Sequence, residues 1–254
     1  METVITYTRL LAGLLFILLM LMLSAPILLL LLPFRRLRIL IGNLVGKQIG
    51  RLCLWLARAE VPSEAPGLAG KHFPAIFISN HTSILDIFLG IWIAPYGTCG
   101  IAKKQVVWYP FFGLIYLLAG HLRIDRSHHG RAVEALAGMA QLMRRERLGV
   151  WLWPEGTRAK DGRLQPFKKG FAHLALATRL PVVPVVIAGA HRGWVKNEIR
   201  FTRSQLDVKV LEPIDTREWT LENLEAHVAE VHALIAAALP PDQRPLEQVA
   251  EGAA

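Results

Sequence analysis

Cysteine is scarce: Cys53 and Cys99 are the only two in 254 residues. Both sit in apolar stretches and read as buried thiols, not as a disulfide or a metal site. Histidine reaches nine, yet no pair stands at metal-ligand spacing. The adjacent His128 and His129 cannot both face one ion from a helix, so they read as a solvated loop pair and no metal is expected. Acid is in deficit, with 20 Asp and Glu against 29 Lys and Arg, a formal net charge of +9. A basic chain admits nucleic acid, an anionic membrane surface or phosphorylated small molecules as partners. No nucleic-acid-binding module is recognisable, so nucleic acid is set aside. No serine or cysteine occupies a nucleophile-elbow setting, which argues against an enzyme-borne nucleophile.

What the chain has in quantity is apolar sequence. The hydrophobic fraction is 53% and the mean hydropathy +0.35, which turns the expectation towards a membrane bilayer. Leu10 to Leu32 is almost entirely apolar and matches the roughly 20 helical residues that cross a hydrocarbon core. It is too long for a usual signal-peptide core, and no small-x-small pattern ends it. Pro26 predicts a kink or a break into two shorter pieces. Arg35, Arg36 and Arg38 follow the run, whereas only Glu2 and Arg9 are charged before it or at its edge. The positive-inside rule then places the rest of the chain on the cytoplasmic side of the cell inner membrane. Ile39 to Ala59 reads as an amphipathic helix. It fits both an interfacial helix and a core helix of the following domain.

From Phe73 onward, apolar runs alternate with helical patterns. Strands are expected at Ala75–Ser79, Thr98–Ala102, His121–Asp125, Gly149–Trp153, Val182–Ile187 and Asp207–Leu211. Helices are expected over Arg131–Arg147, Lys168–Thr178 and Leu221–Leu239. The alternation predicts an α/β fold, a largely parallel central sheet flanked by helices, preceded by an N-terminal membrane helix or two-helix anchor. The expected organisation is an anchor and amphipathic helix over 1–59, a catalytic domain over 60–239 and a disordered tail over 240–254.

Asn80-His81-Thr82-Ser83-Ile84-Leu85-Asp86 follows the first of these strands. An imidazole accepts a proton near neutral pH, and an aspartate beside it orients the ring and stabilises its charged form. With no enzyme nucleophile in sight, His81 and Asp86 read as a base acting on a substrate hydroxyl. Their separation of five positions does not share a helix face. His81 is therefore expected in the turn before a helix, with Thr82 or Ser83 as N-cap and Asp86 in its first turns. A second turn, Trp153-Pro154-Glu155-Gly156-Thr157-Arg158, follows another strand. Gly156 permits close backbone approach to a ligand, and Arg158 offers a planar fork suited to phosphate. Two further blocks are Gly120-His121-Leu122-Arg123-Ile124-Asp125-Arg126 and the strand Leu180–Ile187, which holds Pro181 and Pro184.

These four blocks, in order, resemble the lysophospholipid acyltransferases of the 1-acylglycerol-3-phosphate O-acyltransferase type. The family's blocks are N-H-x4-D, G-x3-I-D-R, P-E-G-T-R and V-P-V-x, and the resemblance spans residues 50–215. One departure is Ala159, where many relatives carry serine. The resemblance implies acyl transfer from a thioester, acyl-CoA or acyl carrier protein, to the free sn-2 hydroxyl of a lysophospholipid. The product would be phosphatidic acid, made without a cofactor. His81 would be the base and Asp86 its orienting partner, and backbone N–H groups around Gly156 would face the oxyanion. Lys103, Arg126, Glu155, Thr157 and Arg158 would contact the acceptor, with the cations on its phosphate. Glu155 would brace an arginine or accept a hydrogen bond from the acceptor. The aromatic segment Trp108–Tyr116 would face membrane or line an acyl chain. Rival readings are another acceptor (lyso-ornithine lipid, another lysophospholipid, glycerol 3-phosphate) and a non-catalytic membrane-binding protein of the same fold.

Overall fold

The computed structural model describes residues 2–109, 111–124, 129–195, 198 and 200–246. In chain order, the elements begin with α1 Glu2–Leu30, α2 Arg35–Leu56, β1 Ala59–Glu60, α3 Ala65–Leu68, β2 Ile76–Ser79 and α4 Leu85–Ile93. Then come β3 Thr98–Lys103, α5 Phe112–Leu118, β4 Leu122–Ile124, α6 His129–Glu146, β5 Gly149–Leu152 and α7 Gly170–Thr178. The chain closes with β6 Val182–Ala188, α8 Ala190–Gly193, β7 Ser204–Gln205, β8 Asp207–Val210 and α9 Leu224–Ala238.

Six strands form one sheet in the order β4-β3-β5-β2-β6-β8. Every neighbouring pair is parallel except β6 with β8. The short β1 and β7 pair separately. Parallel strands covered on both faces are apolar throughout, and β2 and β6 are buried at every residue. Side chains of a strand alternate between faces. Ile76, Ile78, Val150, Val182 and Val186 pack under α6, α7 and α9. Phe77, Trp151, Val183, Val185 and Ile187 pack on the other face with Leu85, Leu89 and Ile93 of α4. Each fully buried aliphatic or Phe side chain contributes about 1.5–3 kcal/mol of transfer free energy.

The N-terminal region takes the two-helix form of the expected anchor. Helix α1 runs unbroken from Glu2 to Leu30 through Pro26. A second helix long and apolar enough to cross a membrane, α2, follows it. Of the two readings open for α2, its inner face fits the core helix. Gly42, Gly46 and Gly50 recur every fourth residue, and a Cβ added there would meet Ala119 Cβ at 2.5 Å, Ile91 Cγ2 at 2.7 Å and the Phe88 carbonyl oxygen at 2.4 Å. The glycines thus let α2 lie closely on α4 and the end of α5. Lys47 Nζ donates to the Trp92 and Ala94 carbonyls at 2.7 and 2.6 Å, closing the carboxyl end of α4. Asn43 bridges the Thr98 carbonyl and the Gly97 amide at 2.9 and 2.8 Å. Helix α1 forms an outer layer on α2 and α5 and leaves Val4, Met22 and Leu30 at 68, 73 and 84% exposure.

Candidate active site

Register brings the two polar turns together. Ile78 of β2 pairs with Leu152 of β5, so His81 and Glu155, each three residues further on, stand level at the carboxyl rim. The His81 amide donates to Glu155 Oε1 at 2.6 Å, and the His81 carbonyl accepts from the Ala159 amide at 2.9 Å. Asn80, buried, donates to the Ile187 carbonyl at 2.7 Å and accepts from the Ile187 amide at 2.9 Å. The turn that carries His81 is therefore tied to β5 on one side and to β6 on the other.

Asp86 is fully buried on the first turn of α4. Its Oδ2 accepts from the Thr82 and Ser83 amides at 2.6 and 2.7 Å and faces His81 Nδ1 at 3.2 Å. A carboxylate that takes Nδ1–H leaves the lone pair of Nε2 as the base. Asp86 Oδ1 is buried with no hydrogen-bond partner, so the imidazole and two amides carry its compensation. Ile84 directly precedes the helix and makes no side-chain cap, and of the two expected capping residues Ser83 supplies a bond to the first turn. Ser83 Oγ donates to the Trp194 carbonyl at 2.8 Å and accepts from the Leu85 amide at 3.3 Å, at the start of the helix. Trp153 stacks on the His81 ring, with centroids 4.9 Å apart and planes at 27°. His81 itself keeps 9% exposure, so a hydroxyl can reach it.

Glu155 stands where sequence reading put an acceptor contact. Its two oxygens instead accept from the amides of His81 and Gln165, at 2.6 and 3.3 Å. Burial drives its carboxyl up to about 8, against the pull of those two hydrogen bonds. These two bonds tie the Glu155 carboxyl to the His81 turn and to the chain at Gln165. Gly156 adopts a φ of +74°, a conformation that favours glycine. Its amide donates to the Trp153 carbonyl at 3.1 Å, so this N–H is not turned to a ligand. The Thr157 amide, next along on an exposed residue, has no such partner among the described residues. Arg158 is half-buried on the same turn, and Lys103 is exposed at the carboxyl end of β3. Arg126 and Asp125 lie outside the described residues, as does His128. The structure thus brings His81, Asp86, Glu155 and Gly156 into one cluster, with Thr157 and Arg158 beside it. Sequence reading assigned no role to Asn80 or Trp153, although both lie inside the quoted motifs. A polar residue beginning a buried turn was the available signal for Asn80.

An acyltransferase family model matches residues 64–188, a span holding both turns. A 1-acyl-sn-glycerol-3-phosphate acyltransferase from Cocos nucifera is 44% identical over 220 residues, covering 87% of this chain and 71% of its own. One from Limnanthes alba is also 44% identical over 220 residues, with 87% and 78% covered. The chain belongs to the 1-acyl-sn-glycerol-3-phosphate acyltransferase family. The enzyme of that name from Salmonella typhimurium is 32% identical over 190 residues, covering 75% of this chain and 76% of its own. In fold, this acyltransferase resembles the crystal structure of the 1-acyl-sn-glycerophosphate (LPA) acyltransferase from Thermotoga maritima. That match has a TM-score of 0.62 at 24% identity and covers 88% of this chain and 94% of the other. The likeness accords with the α/β sheet and its two apolar N-terminal helices. Cys53 and Cys99 are free and buried in the acyltransferase, as their apolar surroundings imply.

Proposed function

We propose that this protein transfers an acyl chain from a thioester donor to the sn-2 hydroxyl of 1-acylglycerol 3-phosphate, giving phosphatidic acid. The observation that carries the reading is the His81–Asp86 hydrogen bond, set in a turn that Glu155 and Asn80 fix from either side. His81 Nε2 takes the hydroxyl proton as the oxygen attacks the thioester carbonyl. Asp86 stabilises the imidazolium that forms. The tetrahedral oxyanion faces the Thr157 amide, which replaces that of Gly156 in this role. As the carbon–sulfur bond breaks, the imidazolium returns the proton to the leaving thiolate. Each step is a proton or acyl transfer between substrates, and the protein contributes position and proton removal.

Arg158, with Lys103 and Arg126, binds the acceptor phosphate in this reading. Support comes from the place of Arg158 one residue beyond the Thr157 amide and of Lys103 on the same rim. The exposed apolar face of α1 supports membrane association, with the sheet on the cytoplasmic side of the inner membrane. The donor is acyl-CoA or acyl carrier protein, and the acceptor comes from the bilayer. The test is labelled acyl transfer by the purified protein across a panel of lysolipids and both donors. Preference for 1-acylglycerol 3-phosphate is expected. Equal or better use of a phosphate-free lysolipid would contradict the acceptor assignment.

A further inference from the structure

A groove of about 1050 Å³ runs along β4, the edge strand of the sheet, between the α1–α2 turn and α6. Its walls are of two kinds. Leu29 and Leu32 from the hairpin turn, Leu117 and Leu118 from the end of α5 and Leu142 from α6 make an apolar lining. Arg35, Arg38 and Arg123 also line it, with Arg145 at the far end of α6, and no acid does so among the described residues.

Arg35 and Arg38 are held in place by backbone carbonyls, with no ion pair between them and an acid among the described residues. Arg35 Nε donates to the Gly120 carbonyl at 3.0 Å, and Arg38 Nη1 to the Leu118 carbonyl at 2.8 Å. Arg38 Nε is buried with no hydrogen-bond partner. Arg145 is partly offset by Glu146 at 3.0 Å. Two guanidinium forks fixed side by side against carbonyls, with no carboxylate on them among the described residues, form a receptor for a phosphate group. Gly120 precedes the amino end of β4, whereas His81 follows the carboxyl end of the parallel β2. The arginine end of the groove is thus at the opposite rim of the sheet from the catalytic turn and is not the acceptor site.

We propose that this groove binds an anionic glycerophospholipid of the bilayer, its phosphate on Arg35 and Arg38 and an acyl chain along the leucines. Charge selects an anion. The apolar wall and a volume at the upper end of small-ligand pockets require more than a headgroup. The adjoining turn between two apolar helices supplies the route from the bilayer. Such a lipid would pin the hairpin to the edge of the sheet.

The test uses the full-length protein in nanodiscs that carry either phosphatidylglycerol or phosphatidylcholine with a diazirine in one acyl chain. After photolysis, labelled peptides are mapped by mass spectrometry, with labelling of α1 as the internal measure of bulk lipid. Labelling of the α5–β4 and α6 groove peptides, relative to α1, should be roughly ten-fold higher with the anionic lipid, the size of one charge-assisted contact. The variant Arg123→Glu with Arg145→Glu leaves the hairpin contacts in place. It should bring that ratio down to the phosphatidylcholine level while α1 labelling stays constant. Equal groove labelling by the two lipids would overturn the proposal, as would a ratio that the charge reversal leaves unchanged.

Discussion

Glu155→Gln keeps the shape of the side chain and one acceptor for the His81 amide, but removes a titrating group. Burial raises the Glu155 carboxyl from the ordinary 4.5 to about 8. The folded protein therefore holds a proton that the unfolded chain releases between those values. Stability from this group is fully present below pH 4.5 and is lost as pH rises to about 8. The slope is at most about 1.4 kcal/mol per pH unit, or roughly 3–6 °C of melting temperature per unit for a chain of this size. Glutamine has no such slope. Its amide also sets N–H groups against the Gln165 amide, a pH-independent loss of about 1–3 kcal/mol. Glu155→Gln should thus melt below wild type at pH 5, and the gap should close and then reverse towards pH 8, because wild type loses roughly 3–4 kcal/mol over that range. Intrinsic tryptophan fluorescence of purified protein in detergent, melted across that range, measures both curves. Parallel curves would refute a proton on the buried carboxyl and the burial argument behind it.

Other variants test the rest of the site. Asp86→Asn should remain folded, because its oxygen still accepts the Thr82 and Ser83 amides, yet lose at least ~100-fold in kcat/KM, as the imidazolium loses its charged partner; activity within a few-fold of wild type would remove Asp86 from the mechanism. Arg158→Ala should weaken use of 1-acylglycerol 3-phosphate by roughly 10–150-fold, the worth of a charge-assisted phosphate contact, with little recovery in Arg158→Lys. Kinetics with each substrate varied in turn decide it, since equal losses for a phosphate-free analogue mean that Arg158 braces the fold. Asn80→Ala strands the buried Ile187 amide and carbonyl and should cost about 1–3 kcal/mol or more of stability, seen as a lower melting temperature with KM for the acceptor unchanged.

The sheet was legible because parallel strands buried on both faces read as continuous apolar runs. All six expected strands form, with ends shifted by one residue or so, for instance β2 starting at Ile76 and β8 ending at Val210. The pairing of His81 with Asp86 was also legible, being local. What escaped is long-range. The hydrogen bond from His81 to Glu155 joins residues 74 apart and depends on the register of β2 on β5. No local pattern encodes it, so Glu155 read as a brace for an arginine or a contact to the acceptor. The seat of α2 was written in the sequence, as Gly42, Gly46 and Gly50 at helical spacing. Their meaning depends on Phe88 and Ile91 arriving opposite them. At Pro26 the helix does not break into two pieces but continues to Leu30.

His81 is the base of the proposed reaction, and one assay addresses that directly. Purified His81→Ala protein, shown by melting to be folded, is given acyl-CoA and 1-acylglycerol 3-phosphate, and labelled phosphatidic acid is counted against wild type. Loss of product by roughly two to four orders of magnitude is expected, the usual contribution of a positioned base. Turnover near the wild-type rate would contradict the mechanism.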